Sequence, residues 1–310
     1  VKNMGNVQEN FQLTRGDNAG WTLSLDNTWL LVPMGENRTT KLTVAIPTNA
    51  TGCTWDNIWV KATSKDNVDV WDNKSCLAHV KVVTVGEAID KGVAWLAAQQ
   101  NPDGSWGLSY PVGQTGLAVL KLEEHAVDGK YGYGLPSPFD PAYPYRENVE
   151  NGLNYIFLKA SVINVSVQPA GNPDTNGNGK GVNFSSWGDH KIYETSIAMM
   201  AIAASRAPER VVNVPGSPVD NWKYKDVLQD AVDYLAWGQT DWGYGIGGWD
   251  YEEMDNGGDR SDQSITGWAA FGLGFAESPA YGFMCTIPAF VKTEMNIWID
   301  YIQNDVDGDT

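Results

Sequence analysis

The chain has 310 residues, of which 42% are hydrophobic, and this composition is sufficient for one large or two ordinary domain cores. Its formal net charge of -17 repels nucleic acids and anionic membranes, so we expect no nucleic-acid partner. No run of about 18 consecutive apolar residues occurs, so no transmembrane segment is predicted in this chain.

The first 84 residues are predicted to form β-strands. In TTKLTVAIP, Leu42, Val44 and Ile46 alternate with Lys, Thr and Ala, which is the period-two pattern of a half-buried strand, and Pro47 ends it. The same alternation occurs in WTLSL, NIWVKATS and CLAHVKVV. Short strands separated by Gly, Asn and Asp turns indicate a β-sandwich of immunoglobulin-like type over residues 1–84.

The run VPMGENRTTKLTVAIPTNATGCTWDNIWVKATSKDNVDVWDNKSCLAHVKV resembles the immunoglobulin-like modules of secreted archaeal and bacterial surface proteins. This resemblance implies a spacer or an adhesion unit. No catalytic grouping is evident within the run.

An extracellular or cell-surface location is predicted from the acidity, the low Lys content and the Asn-X-Ser/Thr glycosylation acceptors. The acceptors are Asn37, Asn49, Asn73, Asn164 and Asn183. Cysteine usage agrees with this location, because Cys53 and Cys76 are the two cysteines of the N-terminal region while Cys285 lies far away. We predict a disulfide between Cys53 and Cys76; the alternative is two unrelated buried thiols.

From residue 85 onward the apolar period is helical, as Ile89, Val93 and Leu96 fall at i, i+4 and i+7. An aromatic residue followed by an aliphatic one then recurs, and a Gln stands four positions after the aliphatic residue in three of the four copies. The pairs are Trp95-Leu96, Tyr155-Ile156, Tyr234-Leu235 and Trp298-Ile299; the glutamines are Gln100, Gln239 and Gln303, with Ala160 in the remaining copy. Polar, glycine-rich sequence follows each Gln, so NPDGSWG is one instance of a repeated connection.

Between these connections lie the apolar helices QTGLAVLKL, ETSIAMMAIAAS and DQSITGWAAFGLGFA, which alternate with helices of a second kind. YKDVLQDAVDYLAW and YRENVENGLNYIFL are amphipathic, whereas ETSIAMMAIAAS and DQSITGWAAFGLGFA are apolar on nearly every face. Outer amphipathic helices that alternate with inner buried ones predict an α/α barrel, in which each helix pair must stack on its neighbours.

The Gln…Asp-Gly…Trp-Gly connections resemble the repeats of the prenyltransferase and squalene-cyclase superfamily, and the best-matching stretch is GGWDYEEMDNGGDRSDQSITGWAAFGL. The resemblance covers about residues 86–310 and implies a terpenoid-cyclase-type α/α toroid over residues 85–310, similar to secreted bacterial and archaeal members. The chain would hold three complete helix pairs and the outer helix of a fourth, PAFVKTEMNIWIDYIQ. A toroid with one pair incomplete is predicted either to belong to a longer polypeptide or to associate with further copies.

The activities of this superfamily each require residues that this chain does not match. A class II cyclase needs the acid of an Asp-X-Asp-Asp motif, and Arg260-Ser261-Asp262-Gln263 keeps only Asp262, beside an arginine that would weaken it as a proton donor. In the other two repeats this position aligns with Gln114-Thr115 and Glu194-Thr195, and the polar pair indicates a recurring helix cap. The prenyltransferase zinc ligands and the thioester motif Gly-Cys-Gly-Glu-Gln are also unmatched. We therefore predict a protein without catalytic activity, with Asp262 as the weak catalytic candidate.

Calcium is the candidate cofactor. DTNGNG places Asp174, Asn176 and Asn178 at alternate positions, as in the first half of a calcium loop, and DVDGDT repeats this spacing. The corresponding residues of DVDGDT are Asp305, Asp307 and Asp309. The alternative for each loop is a polar, glycine-rich turn.

The connections are also rich in aromatic residues, for which two roles are open. Trp187, Trp249 and Tyr251, together with Asp262, are the candidates for a pocket that binds a sugar or a terpenoid. The alternative, which we favour, is that such tryptophans pack between successive repeats. The predicted function is structural or adhesive, through self-association or contacts with other surface proteins; the rival is an enzyme or binding protein acting on a terpenoid or glycan.

Overall fold

The computed structural model describes residues 1–81, 84–253 and 259–303. The chain divides into two compact units, Val1–Thr84 and Val85–Thr310. The first unit is formed from strands and the second mainly from helices, so the protein has a mixed α and β architecture.

The N-terminal unit contains two antiparallel sheets. Its strands are β1 (Glu9–Gly16), β2 (Thr22–Leu25), β3 (Trp29–Val32), β4 (Leu42–Ala45), β5 (Trp55–Ser64) and β6 (Trp71–His79). The larger sheet has the order β3-β1-β5-β6, and the smaller one pairs β2 with β4. The alternation predicted for β4 is confirmed, because Leu42 and Val44 are half-buried while Thr43 is exposed.

The core of this unit is small. Phe11, Leu13, Leu30 and Val32 of β1 and β3 are its buried cluster. A groove of about 720 Å³ opens beside them and is lined by both sheets, including Leu25 and residues of β4 and β5. The strand β6 is exposed along nearly its whole length.

The structure does not contain the predicted disulfide. The backbone N–H of Cys53 donates to the carbonyl of Val80. Cys76 lies four residues before Val80, on β6, where it pairs with Ile58 of β5. Four residues of strand span about 13 Å, far beyond the roughly 4.4–6.8 Å between the Cα atoms of a disulfide. Both thiols are free and exposed, so they are not buried thiols either.

The helical unit contains the seven predicted helices in its described part. They are α1 (Val85–Ala98), α2 (Pro111–Val127), α3 (Arg146–Leu158), α4 (Lys191–Ala204), α5 (Tyr224–Trp237), α6 (Gln263–Glu277) and α7 (Ala289–Ile302). A hairpin of β7 (Ala160–Asn164) and β8 (Lys180–Phe184), which the sequence analysis did not predict, lies between α3 and α4.

Helices α2, α4 and α6 form a row with α4 at its centre. Close packing in this row requires glycine, because a Cβ on Gly116 would lie 2.7 Å from Cγ2 of Ile197 and one on Gly272 would lie 2.8 Å from the Ser196 carbonyl. Nearly every residue of α4 is buried, as predicted for an inner helix. Helices α3 and α5 pack outside this row, on α2 and α4 respectively.

Candidate functional site

Each inner helix is preceded by a connection that we call a joint: residues 99–110, 159–190 and 238–262 are the first, second and third joints. All three are anchored by the same hydrogen bond, in which a Thr hydroxyl in the first turn of the inner helix accepts a backbone N–H of the joint. The pairs are Trp106 N to Thr115 at 2.9 Å, Phe184 N to Thr195 at 2.9 Å and Trp249 N to Thr266 at 3.0 Å. These bonds define which residues of the repeats are equivalent.

Trp106 of the first joint and Trp249 of the third joint pack in the core. Trp106 Nε1 donates to the Leu96 carbonyl at 2.7 Å, and Trp249 Nε1 donates to the Leu235 carbonyl at 2.8 Å. Trp249 is 0% exposed. It therefore does not line a ligand pocket, and the packing alternative describes it correctly.

The repeated glutamines hold each joint against the next outer helix. Gln100 Nε2 donates to the carbonyls of Gly104 and Asn148 at 2.9 and 3.0 Å. Gln239 Nε2 makes the equivalent bonds to Gly247 and Val291, also at 2.9 and 3.0 Å. In the second joint, where Ala160 replaces the glutamine, the β7–β8 hairpin fills the connection.

The threonine anchors correct the alignment on which the recurring cap was predicted. Thr115 and Thr195 are equivalent to Thr266, so Asp262 stands four positions before the threonines and three before the Gln or Glu of the aligned pairs. The N-cap positions of α2 and α4 are Tyr110 and His190, and neither makes a side-chain cap hydrogen bond. The side-chain cap is thus a feature of α6 and is not shared by α2 and α4.

Asp262 itself caps α6. Its carboxylate accepts the backbone N–H groups of Ser264 and Ile265 at 2.8 and 3.0 Å. The hydrogen bond from the Ser264 hydroxyl, followed by the backbone bonds and Arg260, lowers the pKa of Asp262. A carboxylate held in its ionised form is unsuited to protonate an alkene, so the geometry gives Asp262 a structural role.

An exposed aromatic patch remains as a possible ligand-contacting surface. Trp187 is 59% exposed and its ring lies 5.0 Å from that of Tyr110. His190 lies 4.3 Å from Tyr110 and 4.7 Å from Tyr251. The structure thus places Trp187 and Tyr251 in one patch, at the N-terminal ends of α2 and α4, and leaves Trp249 outside it.

The DTNGNG loop is engaged in hydrogen bonds. The Asp174 carboxylate accepts three backbone N–H groups of its own loop, from residues 177 to 179. The side-chain amides of Asn176 and Asn178 donate to Asp230 of α5 at 2.6 and 3.0 Å. Within the described residues, no group of three or more His, Cys, Asp or Glu side chains is placed to hold a metal ion. Asp305, Asp307 and Asp309 lie outside the described residues.

Sequence reasoning missed the two carboxylates that accept hydrogen bonds from this loop. Asp230 and Asp233 are fully buried, and Thr175 donates both its N–H and its hydroxyl to Asp233. Burial raises the pKa of both, that of Asp233 to about 6. A signal was present, because Asp230 falls on the apolar face of α5, three residues after Val227 and four before Tyr234.

Four of the predicted glycosylation acceptors have exposed side chains: Asn37, Asn49, Asn73 and Asn164. The structure corrects the prediction that Asn183 is a glycosylation acceptor. It lies within β8 and is 3% exposed, so the folded protein cannot present its amide for attachment of a glycan.

No known protein family matches the chain, and neither the characterised proteins nor the solved structures with which it was compared contain a match. Among the helices in the described part of the chain, none is long and apolar enough to cross a bilayer.

Proposed function

We propose that this chain is a secreted or cell-surface structural or adhesive glycoprotein whose helical unit is a catalytically inactive scaffold. The observation that carries this proposal is the use of Asp262, the residue at which the family resemblance would place an acid, as the cap of α6. Trp106 and Trp249, and the glutamines Gln100 and Gln239, likewise serve packing and backbone hydrogen bonds.

The finer architecture is part of the proposal. Two antiparallel sheets with apolar residues between them support an immunoglobulin-like sandwich for the N-terminal unit. Outer helices that alternate with a buried inner row support an α/α toroid of the prenyltransferase and squalene-cyclase type. Four exposed acceptor asparagines and the net charge of -17 support an extracellular or cell-surface location.

Self-association is proposed from an apolar surface on the first helix pair. A groove of about 640 Å³ there is lined by α1, the first joint and α2, and it includes Trp95, Leu108 and Leu117. Trp95 is 64% and Leu108 is 91% exposed. Contiguous exposed apolar surface of this kind is typical of contact sites.

Sedimentation velocity over a concentration series tests this self-association. The wild-type protein should form oligomers, and Trp95→Glu should disperse them. A wild-type protein that stays monomeric would contradict self-association.

The location and modification are tested together on the native organism. Antibodies raised against the purified chain should label intact cells, and mass spectrometry of the native protein should find glycans on some of the exposed acceptors but an unmodified Asn183. Labelling that requires permeabilised cells, together with unmodified acceptors, would overturn the proposal.

The aromatic patch favours a second candidate, a binding protein for a glycan or a terpenoid. Exposed Trp and Tyr side chains stack on sugar rings and on polyene chains alike. Titration of tryptophan fluorescence with mannotetraose and with farnesol should show saturation that Trp187→Ala abolishes. Unchanged fluorescence with both probes would rule out this candidate for the two ligand classes they represent.

A further inference from the structure

The third joint is longer than the first, and the added residues can be located. Gly104 N donates to the Asn101 carbonyl, and Gly247 N makes the equivalent bond to the Thr240 carbonyl. Two residues separate the partners in the first joint and six separate them in the third. The four additional residues thus fall within 241–246, a segment that begins with Asp241.

The added segment lies against α7 at a position where the repeats also differ in sequence. Gly104 packs on the backbone of Asn151 in α3, and Gly247 packs in the same way on Glu294 in α7. Glu294 therefore occupies the place of Asn151. Its carboxyl group hydrogen-bonds to that of Asp241, which is 8% exposed. Two changes between the repeats, one insertion and one substitution, bring two acids into contact.

A third change leaves a buried oxygen on a side chain that is held against the same turn of α7. In the first joint, Gln100 Oε1 accepts Asn148 Nδ2 at 2.7 Å, but Val291 stands in place of Asn148 in the third. Gln239 is 1% exposed, and among the described residues its Oε1 has no hydrogen-bond partner. Its Nε2, bound to the Val291 and Gly247 carbonyls, holds the amide against the turn of α7 that carries Glu294.

We propose that Asp241, Glu294 and the Oε1 atom of Gln239 bind a divalent cation, and that this cation is Ca²⁺. Carboxylate and amide oxygens are the ligands that Ca²⁺ prefers, and its flexible coordination sphere accepts water at the remaining positions. The bound ion would attach the third joint to α7.

The electrostatics of the site agree with this assignment. Burial raises the pKa of Asp241, and burial together with the neighbouring Asp241 raises that of Glu294. No Lys or Arg in the described part of the chain contributes to either shift. Glu294 Oε2 is buried and has no hydrogen-bond partner among the described residues. Two acids in contact at a largely buried position are costly, and a divalent ion would remove that cost.

Terbium luminescence tests the proposal, because Tb³⁺ replaces Ca²⁺ in oxygen sites and is sensitised by nearby indoles. Trp242 follows Asp241 directly, and Trp298 lies one turn beyond Glu294 on α7. At an ionic strength of about 0.15 M, where surface charges are screened, we expect saturable emission from one Tb³⁺ per chain that Ca²⁺ displaces. Asp241→Asn and Glu294→Gln should each weaken binding about tenfold or more.

Two further variants make the result specific. Val291→Asn restores the donor that Gln100 has in the first joint, so it should weaken binding several-fold with both carboxylates intact. Asp174→Asn alters the other oxygen-rich loop and should leave the emission unchanged. Thermal unfolding without Ca²⁺ establishes that each variant is folded. If Glu294→Gln does not fold, Glu294→Asn replaces it, because Asn is the residue at the equivalent position of the first repeat. Absence of saturable emission, or emission lost in Asp174→Asn and kept in the Asp241 and Glu294 variants, would overturn the proposal.

Discussion

The three joints each lead into an inner helix, but the second and third are much longer than the first. Trp106 follows Gln100 by six residues, and Trp249 follows Gln239 by ten. In the second joint, Phe184 follows Ala160 by 24 residues, and most of the intervening residues form a hairpin and its loop. The threonine anchor is nevertheless present in all three, with donor-acceptor distances of 2.9 to 3.0 Å.

This comparison shows where the joints are constrained and where they vary. The residues at the ends of each joint are buried and hydrogen-bonded, so a change there leaves a polar group without a partner or opens a cavity. Much of the sequence between them lies at the surface, as Asn176 and Trp242 do, and there the entropic cost of extra loop length is small. New side chains, including Asp174, Asp241 and Trp242, are found in these lengthened parts.

The largest expected effect on the free energy of unfolding comes from variants that disrupt the packing shared by the first and third joints. Trp106→Ala and Trp249→Ala should each reduce the free energy of unfolding by about 3–5 kcal/mol, because each removes a buried indole and leaves a carbonyl without its donor. Trp187→Ala, at an exposed position in the second joint, should change it by less than about 0.5 kcal/mol. Chemical denaturation measures all three, and a large loss for Trp187→Ala with little for Trp249→Ala would reverse our assignment.

The second joint is anchored on α5 through a carboxylate with a raised pKa, which makes stability depend on pH. Burial raises the pKa of Asp233 to about 6, above an unfolded value of about 3.9. The folded protein thus binds this proton more tightly than the unfolded chain. Stability should fall as the pH rises from about 4 to 6, by about 2–3 kcal/mol from this group.

Urea denaturation across that pH range measures this effect. Asp233→Asn should flatten the pH dependence, although Asp230, whose pKa burial also raises, contributes in the same direction. Asp226→Asn, at an exposed position on α5, is the matched control and should leave the slope as in the wild type. A slope unaltered by Asp233→Asn would show that the folded protein does not hold this carboxyl group in its protonated form.

A smaller effect is expected from the anchor that all three joints share. Thr115→Val, Thr195→Val and Thr266→Val each preserve side-chain shape but leave a buried backbone N–H without its acceptor. Each should reduce the free energy of unfolding by about 1–3 kcal/mol, by similar amounts despite the different joint lengths. Calorimetry of the three variants compares them, and a cost that grew with joint length would show that the anchors are not equivalent.

The smallest expected effect separates the two glutamines. Gln100 makes two hydrogen bonds through Nε2 and accepts one through Oε1, whereas Gln239 makes only the two Nε2 bonds with the described residues. In Ca²⁺-free buffer, Gln100→Leu should therefore be more destabilising than Gln239→Leu by about 0.5–1.5 kcal/mol. Parallel denaturation curves measure the difference, and equal costs would indicate that water supplies the missing partner of Gln239.

Most local elements of this protein were predictable from sequence, and the β7–β8 hairpin was the exception among the elements of the helical unit. The apolar period near 3.6 identified the amphipathic helices, long apolar segments identified the inner ones, and strict alternation identified β4, because these patterns follow from backbone geometry and burial within a short segment. Repetition of the Gln and Trp positions located the joints, and the role of Trp249 in packing followed from its place in that repeat.

Contacts between distant segments were decided by the tertiary structure. Cys53 and Cys76 share one region of the sequence, but the register of β5 and β6 keeps them apart, and register depends on pairing that spacing alone does not encode. Asn183 has a perfect acceptor motif, yet β8 buries it. Three further contacts join residues that come together only when the helices pack, because the partners of a side chain are its neighbours in space. They are the threonine anchors, the hydrogen bonds from the DTNGNG loop to Asp230, and the contact between Asp241 and Glu294.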